Sequence, residues 1–353
     1  MRIGLPREVK DGEKRVALTP AGVSLLSREN HRVVVERNAG APSGFSDAAY
    51  AEAGAEVGDP WACEMVVKVK ELQPGEYGKP RPGQTVFGFQ HFGPEPGLLD
   101  AALASGATFV AFETVGQAGG RLPILAPMSA IAGRLAVQAG MWCLQTQNGG
   151  SGVLLAGLDG VPPGKVVILG AGNVGSNALR VAAGIGASIT VFAKSTKRFP
   201  PLQQAFPSVN LRSPVEGLDI AVGDADLVIG GVLTPGQMSP KLITRSMLRK
   251  MRPGSVLVDV GIDQGGIAET SRATSHSEPT YVEEGVVHYC VPNMPAACAR
   301  TASLALEQAA LPFLSRLAKN AIDDDLRTGI QVRAGKVTHE QLARDTGRAW
   351  SSP

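Results

Sequence analysis

Short apolar runs, each bounded by Gly, Pro or charged residues, recur through the first 120 positions. Ile3-Gly4-Leu5 ahead of Pro6, then residues 32–36, 64–70, 85–89 and 108–112, predict strands, and residues 94–104 predict a helix between the last two. Such strands alternating with helices predict a mostly parallel sheet covered on both faces. The pattern then changes. From 124 to 147, and most clearly from Met128 to Met141, almost nothing but glycine breaks the apolar character, which predicts a long buried helix joining two domains. A Gly-rich loop, Gly149-Gly150-Ser151-Gly152, precedes a second alternating unit. There 165–169, 188–192, 227–229 and 255–260 predict strands and 173–186 a helix. The continuous apolar run at 165–169 is the signature of a strand buried on both faces. Residues 301–317 carry apolar positions at helical spacing and are expected to return the chain to the first domain.

Composition narrows the class. At 353 residues the chain is long enough for two domains, and 44% hydrophobic with 19% charged residues is an ordinary globular balance. The net charge is +2, and the nearest approach to a basic block is Lys194, Lys197 and Arg198, too short to track a phosphate backbone. No nucleic-acid partner is expected. The four cysteines are scattered without a C-x-x-C pair, so neither a zinc site nor a disulfide framework is expected. No apolar run is long enough to span a bilayer and the N-terminus lacks a signal-peptide core, so a cytoplasmic protein without a membrane partner is expected.

Gly170-x-Gly172-x-x-Gly175 stands directly between a predicted strand and a predicted helix. In that setting the three glycines serve a tight turn, close approach of backbone N–H groups to a pyrophosphate, and close helix–strand packing. The helix N-terminus adds partial positive charge, and Asn173 and Val174 lie within the loop. The next strand of such a fold ordinarily ends in an acid that holds the adenine ribose. Here it runs Val191-Phe192-Ala193-Lys194-Ser195-Thr196-Lys197-Arg198. The acid is replaced by Ala193, and Lys194, Ser195, Lys197 and Arg198 follow. The expectation is therefore NADP or NAD, with NADP favoured.

Longer motifs extend this reading. Gly4-x-Pro6-Arg7-Glu8, residues 15–23, Val67-Lys68-Val69-Lys70-Glu71, Leu125-Ala126-Pro127-Met128-Ser129, Ala132-Gly133-Arg134, Asp263-Gln264-Gly265-Gly266 and Asn293-Met294-Pro295 follow in order along nearly the whole chain. Together they resemble the alanine dehydrogenase family, which is related to the α-subunit of proton-translocating transhydrogenase. The resemblance, with the periodicity, implies an α/β fold of two Rossmann-like doubly wound domains separated by a cleft and joined by long helices. Residues 1–123 and 299–353 are expected to form the substrate domain and 124–298 the dinucleotide domain. It implies His91, Asp263 and Lys70 as catalytic residues, and Arg15, Lys70, Met128 and Asn293 as substrate-binding residues. Ser129, Val232, Leu233 and Asp263 join the glycine loop and its basic successor as cofactor contacts; no metal is implied.

The residue chemistry agrees. A guanidinium at Arg15 suits a carboxylate through two hydrogen bonds. Lys70 can polarise a carbonyl or carbinolamine oxygen, and His91, as an imidazole, can move a proton. Asp263, expected at the end of a strand of the nucleotide domain, can steady an ammonium or the nicotinamide ribose. Three departures stand out: Ala130 where the family has Glu, a Gly93-Pro94-Glu95-Pro96 segment after His91, and Pro292 before Asn293. The leading expectation is reversible oxidative deamination of L-alanine or a similar small amino acid to the 2-oxo acid and ammonia. The alternatives are a reductive aminase on another 2-oxo acid and a non-catalytic, transhydrogenase-like nucleotide binder. A homo-oligomer, often a hexamer, is implied by the resemblance alone.

Overall fold

In the computed structural model, residues 1–213, 216–232 and 238–352 are described. They form two compact units, Met1–Met128 with Ala296–Pro353, and Ser129–Pro295. The first is built on eight strands: β1 (Arg2–Leu5), β2 (Arg32–Val35), β3 (Glu56–Val57), β4 (Met65–Val67), β5 (Thr85–Gly88), β6 (Thr108–Ala111), β14 (Ile330–Arg333) and β15 (Lys336–Val337). The second has seven: β7 (Lys165–Leu169), β8 (Ser188–Phe192), β9 (Asn210–Arg212), β10 (Leu227–Gly230), β11 (Val256–Asp259), β12 (Thr280–Glu283) and β13 (Val286–Tyr289).

The sheet orders are β15-β14-β6-β5-β4-β1-β2-β3 and β12-β13-β11-β10-β7-β8-β9. Strands β1 to β6 are mutually parallel, as are β7 to β11 with β13. Both units thus follow the doubly wound order, with antiparallel strands added at one edge. The order in which strands are added reverses between β1 and β4 in the first sheet and between β7 and β10 in the second, while the strands stay parallel. Doubly wound sheets place ligands beyond the carboxyl ends of their strands at such a reversal.

The central strands are buried throughout, as at Met65–Val67, Leu227–Gly230 and Val256–Asp259, because helices cover both faces. Helices α1 (Pro20–Arg28), α2 (Asp47–Glu52) and α3 (Pro96–Ser105) belong to the first unit. Helix α4 (Leu125–Cys143) carries the chain from the first unit into the second. In the second unit α5 (Asn173–Gly184) follows β7, and α6 (Phe199–Ala205), α7 (Leu218–Gly223) and α8 (Arg245–Leu248) follow in turn. The chain closes in the first unit with α9 (Ala299–Ala318), α10 (Asp324–Gly329) and α11 (Glu340–Thr346).

Helix α9 does more than cover the first sheet. It holds the segment 15–19, which carries Arg15, in place. Ser303 Oγ accepts from the Val16 amide at 2.9 Å. The Glu307 carboxylate accepts from the Thr19 amide and, at 2.8 Å, from the Thr19 hydroxyl. Thr19 in turn caps α1 through the Ala21 amide. Tyr50 on α2 donates its hydroxyl to Leu18 O at 2.7 Å. A segment with no ladder of its own is therefore pinned by buried side chains from two helices, α9 and α2.

Glu307→Ala leaves the buried Thr19 donors unsatisfied. It is expected to destabilise the protein by about 1–3 kcal/mol, the usual penalty for a buried polar group that loses its partner. Urea unfolding of the variant against wild type measures this, and an unchanged midpoint would remove Glu307 as the anchor of segment 15–19.

Candidate active site

In the first unit, Arg15, Lys70 and His91 all lie beyond carboxyl ends of central strands: Arg15 on the segment after β1, Lys70 after β4, His91 after β5. The strand predicted over 64–70 is shorter than expected and stops at Val67. Beyond it, Glu8 takes over the hydrogen bonding. Its carboxylate accepts from the Val69 amide at 2.5 Å and the Lys70 amide at 3.3 Å, and lies 3.4 Å from Lys68 Nζ. Lys68 is itself 1% exposed and donates to Glu76 at 3.1 Å. Burial pushes the Glu8 carboxyl above its usual range, against the pull of Lys68.

Arg15 is 2% exposed. Glu13 grips it side-on, accepting from Nε at 2.7 Å and Nη2 at 2.5 Å, and also accepts from the Arg15 amide at 2.9 Å. Nη1 points at Met128 Sδ, 3.2 Å away. The plane of the guanidinium is thereby fixed. Lys70 lies 3.8 Å from Glu71 Oε2.

His91 has a left-handed backbone, φ 47°. For a non-glycine residue this needs support, and Glu113 supplies it by accepting from the amides of Gln90 at 3.0 Å and His91 at 2.9 Å. The imidazole stacks on Phe89, centroids 5.7 Å apart, and its Nδ1 is 2.7 Å from Glu71 Oε2. The other oxygen of Glu71 accepts from Lys10. Burial works to raise the Glu71 carboxyl, but the His91 hydrogen bond, Lys70 and Lys10 outweigh it and hold the group well below the usual carboxylate range.

The second unit builds a different site around the reversal between β7 and β10. Gly170 has φ 100°, and a Cβ on Gly175 would lie 1.8 Å from Gly170 O, so the third glycine of the motif is required for helix α5 to start where it does. Gly172 caps α5, with open space where its Cβ would be, and Asn173 and Val174 form the first turn. Beyond the loop is a cavity of ≈ 750 Å³. Gly170, Gly172, Ala193, Lys194, Ser195, Lys197, Arg198 and Val232 contribute to its wall. Ala193 directly follows β8; Ser195 caps the turn Thr196–Arg198; Arg198 Nη1 reaches back to Ala171 O and Asn173 Oδ1, each at 3.5 Å. The glycine cradle and the helix N-terminus fit a pyrophosphate, with the basic loop beside it.

Asp263 does not end a strand. Strand β11 ends at Asp259, and Asp263 is exposed on the following turn Ile262–Gln264. Asp259 builds that turn: fully buried, it accepts from Gly261 N at 3.0 Å, Ile267 N at 2.7 Å and Ser271 Oγ at 2.5 Å. Asn293 is half-buried with φ 57°, and Ser129 is half-buried on α4. Leu233 lies outside the described residues. Sequence reasoning placed Glu8 and Glu71 in motifs without giving them a role, and gave none to Glu113 or Asp259. One signal for the carboxylates was available: Lys68 and Lys70 share one face of an otherwise apolar strand, and buried ammonium groups require counter-ions.

Comparison with known proteins finds relatives over nearly the whole chain. Residues 4–132 match the family model for the alanine dehydrogenase/PNT N-terminal domain, and residues 136–340 match that for the C-terminal domain. The alanine dehydrogenase of Halomonas elongata is 48% identical over 360 residues, covering 98% of this chain and 97% of its own. That of Bacillus subtilis is 46% identical over 361 residues, covering 98% and 95%. A solved structure of an L-alanine dehydrogenase matches with a TM-score of 0.96 at 44% identity, over 98% of this chain and 99% of its own.

Gly175→Ala places a methyl group against Gly170 O and shifts the start of α5. The dissociation constant for a reduced nicotinamide dinucleotide is expected to rise at least about tenfold, equivalent to 1.4 kcal/mol. Tryptophan-quenching titration checks this, with the thermal midpoint as a control. Binding unchanged in the variant would mean that the loop does not carry the pyrophosphate.

Proposed function

The chain belongs to the alanine dehydrogenase/PNT family, and from that premise we propose that it is a nicotinamide-dependent L-alanine dehydrogenase. It oxidises the amino acid reversibly to pyruvate and ammonia. The observation that carries the reading is the gathering of Arg15, Lys70 and His91 beyond neighbouring strands, each held by a carboxylate. Met1–Met128 with Ala296–Pro353 is assigned to the amino acid, and Ser129–Pro295 to the dinucleotide.

A nicotinamide dinucleotide held by the glycine loop would supply the acceptor for the α-hydrogen and its electron pair. The rest is done by the chain. Arg15, with Met128 beside it, takes the substrate carboxylate through a guanidinium whose plane Glu13 has set. Lys70 places positive charge where negative charge builds on the oxygen at the α-carbon. Once the α-hydrogen is lost, His91 accepts a proton from water as it adds across the carbon–nitrogen double bond. It then gives a proton to nitrogen as the C–N bond breaks, the hydroxyl loses its proton and ammonia leaves; the reverse reaction retraces these transfers. Asp263 is assigned to the nicotinamide ribose, Asn293 to the substrate and Ser129, Val232 and Leu233 to the cofactor, as the resemblance implies. No described helix is long and apolar enough to cross a membrane. Assembly into a homo-oligomer belongs to the same proposal and is read by light scattering.

Reduced-nicotinamide absorbance tests the reaction, with L-alanine and other small amino acids in one direction and 2-oxo acids with ammonia in the other. Turnover of another amino acid but not L-alanine would replace the substrate. His91→Ala is expected to lower kcat by about 10²–10⁴-fold, the usual contribution of general acid–base catalysis, with cofactor affinity near wild type. Activity within a few-fold of wild type would remove His91 from the reaction.

The finer proposal concerns the cofactor. We infer a preference for NADP(H) over NAD(H). What supports it is Ala193 at the end of β8, followed by Lys194, Ser195, Lys197 and Arg198 around the cavity, with no acid among its described lining residues. An acid there would accept from both ribose hydroxyls and repel a 2′-phosphate. Ala193→Asp is therefore expected to reverse the order of affinities. Titration of NADPH and NADH against both proteins decides it: a wild type that prefers NADH, or a ratio unmoved by the substitution, would leave the basic loop as a solvated surface.

A further inference from the structure

We propose that Glu71 is a positioning residue that fixes the tautomer of His91, with Lys10 orienting the Glu71 carboxyl. The inference rests on the reading of His91 as the proton acceptor and goes beyond it.

The geometry of the His91 ring is set from three sides. Glu113 holds its backbone, Phe89 stacks on its face, and Glu71 Oε2 sits 2.7 Å from Nδ1. The Glu71 side chain is only 6% exposed. Three positively charged or donating groups converge on it: Lys10 at Oε1, His91 and Lys70 at Oε2. An ionised carboxylate can only accept hydrogen bonds. Nδ1 must then carry a hydrogen, and in the neutral ring the lone pair is on Nε2. The base is thus set to take a proton at Nε2 before any substrate arrives. As that proton is taken, positive charge appears on the ring beside a carboxylate that is already negative.

The two oxygens of Glu71 are not equivalent, and this makes the role testable. In Glu71→Gln the amide must choose which end faces Lys10. An ammonium donates only, and Lys10 contacts this oxygen more closely than Lys70 approaches the other, so the amide oxygen turns to Lys10 and the NH₂ to His91. That NH₂ donates to Nδ1, moves the ring hydrogen to Nε2, and leaves the base in the wrong form. Lys10→Met in the Glu71→Gln background frees the amide to turn and present its oxygen to Nδ1.

Two readouts test this on the full chain. The first is kcat with saturating substrate and cofactor. Glu71→Gln is expected to lose at least about 10²-fold, the scale of a wrong-tautomer defect in a His–carboxylate pair, and the double variant to regain at least about tenfold. The second does not depend on the reaction: the rate at which diethyl pyrocarbonate acylates His91, mapped by peptide mass spectrometry with the other four histidines as internal references. The lone pair at Nε2 is the nucleophile, so acylation should slow several-fold in Glu71→Gln and return towards the wild-type rate in the double variant. A Glu71→Gln protein with near wild-type kcat and acylation overturns the proposal. So does a loss that Lys10→Met does not relieve in either readout, since a merely structural role for Glu71 predicts no rescue by removing a second ion-pair partner. If Glu71→Gln alone is unstable, the acylation rate of the double variant carries the decision, and a rate far below wild type overturns the proposal. A wild type inactive on every amino acid would sink the functional reading while the acylation pattern still decides this one.

Discussion

The first unit depends on keeping cations charged where water has been removed. Arg15, Lys68 and Lys70 cluster beyond β1 and β4 with little surface exposed. An unpaired ion in such a place is worth several kcal/mol of destabilisation, and an ammonium would sooner lose its proton than remain. Each cation therefore arrives with a carboxylate: Glu13 on Arg15, Glu8 and Glu76 on Lys68, Glu71 on Lys70 and Lys10. The pairs are not interchangeable. Glu13 sets the plane of a guanidinium, whereas Glu8 also accepts two backbone amides and so ends β4 and launches Lys70. Electrostatic compensation and chain geometry are the same contacts.

The two units share a strand order yet use its reversal point for different chemistry. After β7 the chain reads Gly-Ala-Gly, and open space lies where a Cβ on Gly172, the cap of α5, would be. Amides there can meet an external anion. After β1 it reads Pro6-Arg7-Glu8, and Glu8 brings a carboxylate of the chain to the amides of Val69 and Lys70 across the reversal. The residues after the first strand differ between the units, an open glycine turn in one and a carboxylate-bearing segment in the other.

The alternation of strands and helices was legible because buried parallel strands are continuous apolar runs, and the long helices at 125–143 and 299–318 keep their spacing over many turns. What escaped were elements whose stability is borrowed. Helix α1 begins at Pro20 after a Thr cap, but its hold comes from Glu307, nearly 300 positions away. The antiparallel strands β12, β14 and β15 lie at or next to a sheet edge, and β14 pairs with β6 through an irregular register. Tertiary contact, not local pattern, makes these strands.

The same division runs through the site. Residues proposed to touch a ligand carry motifs with a local rationale, as the glycines and the Lys-Val-Lys alternation do. Residues that orient them are carboxylates at arbitrary sequence distance, and a Glu is ordinarily read as surface. Asp259 and Asp263 illustrate the consequence. From sequence, the exposed Asp263 drew attention because it opens a Gly-rich motif, and it was placed at a strand end. The strand ends instead at Asp259, whose carboxyl is pushed up by burial and held by Ser271 and the amides of Ile267 and Gly261. Those bonds close the turn on which Asp263 stands. A change at Asp259 would therefore move Asp263 without touching any ligand, and the acid that determines the geometry is the one with no chemistry of its own.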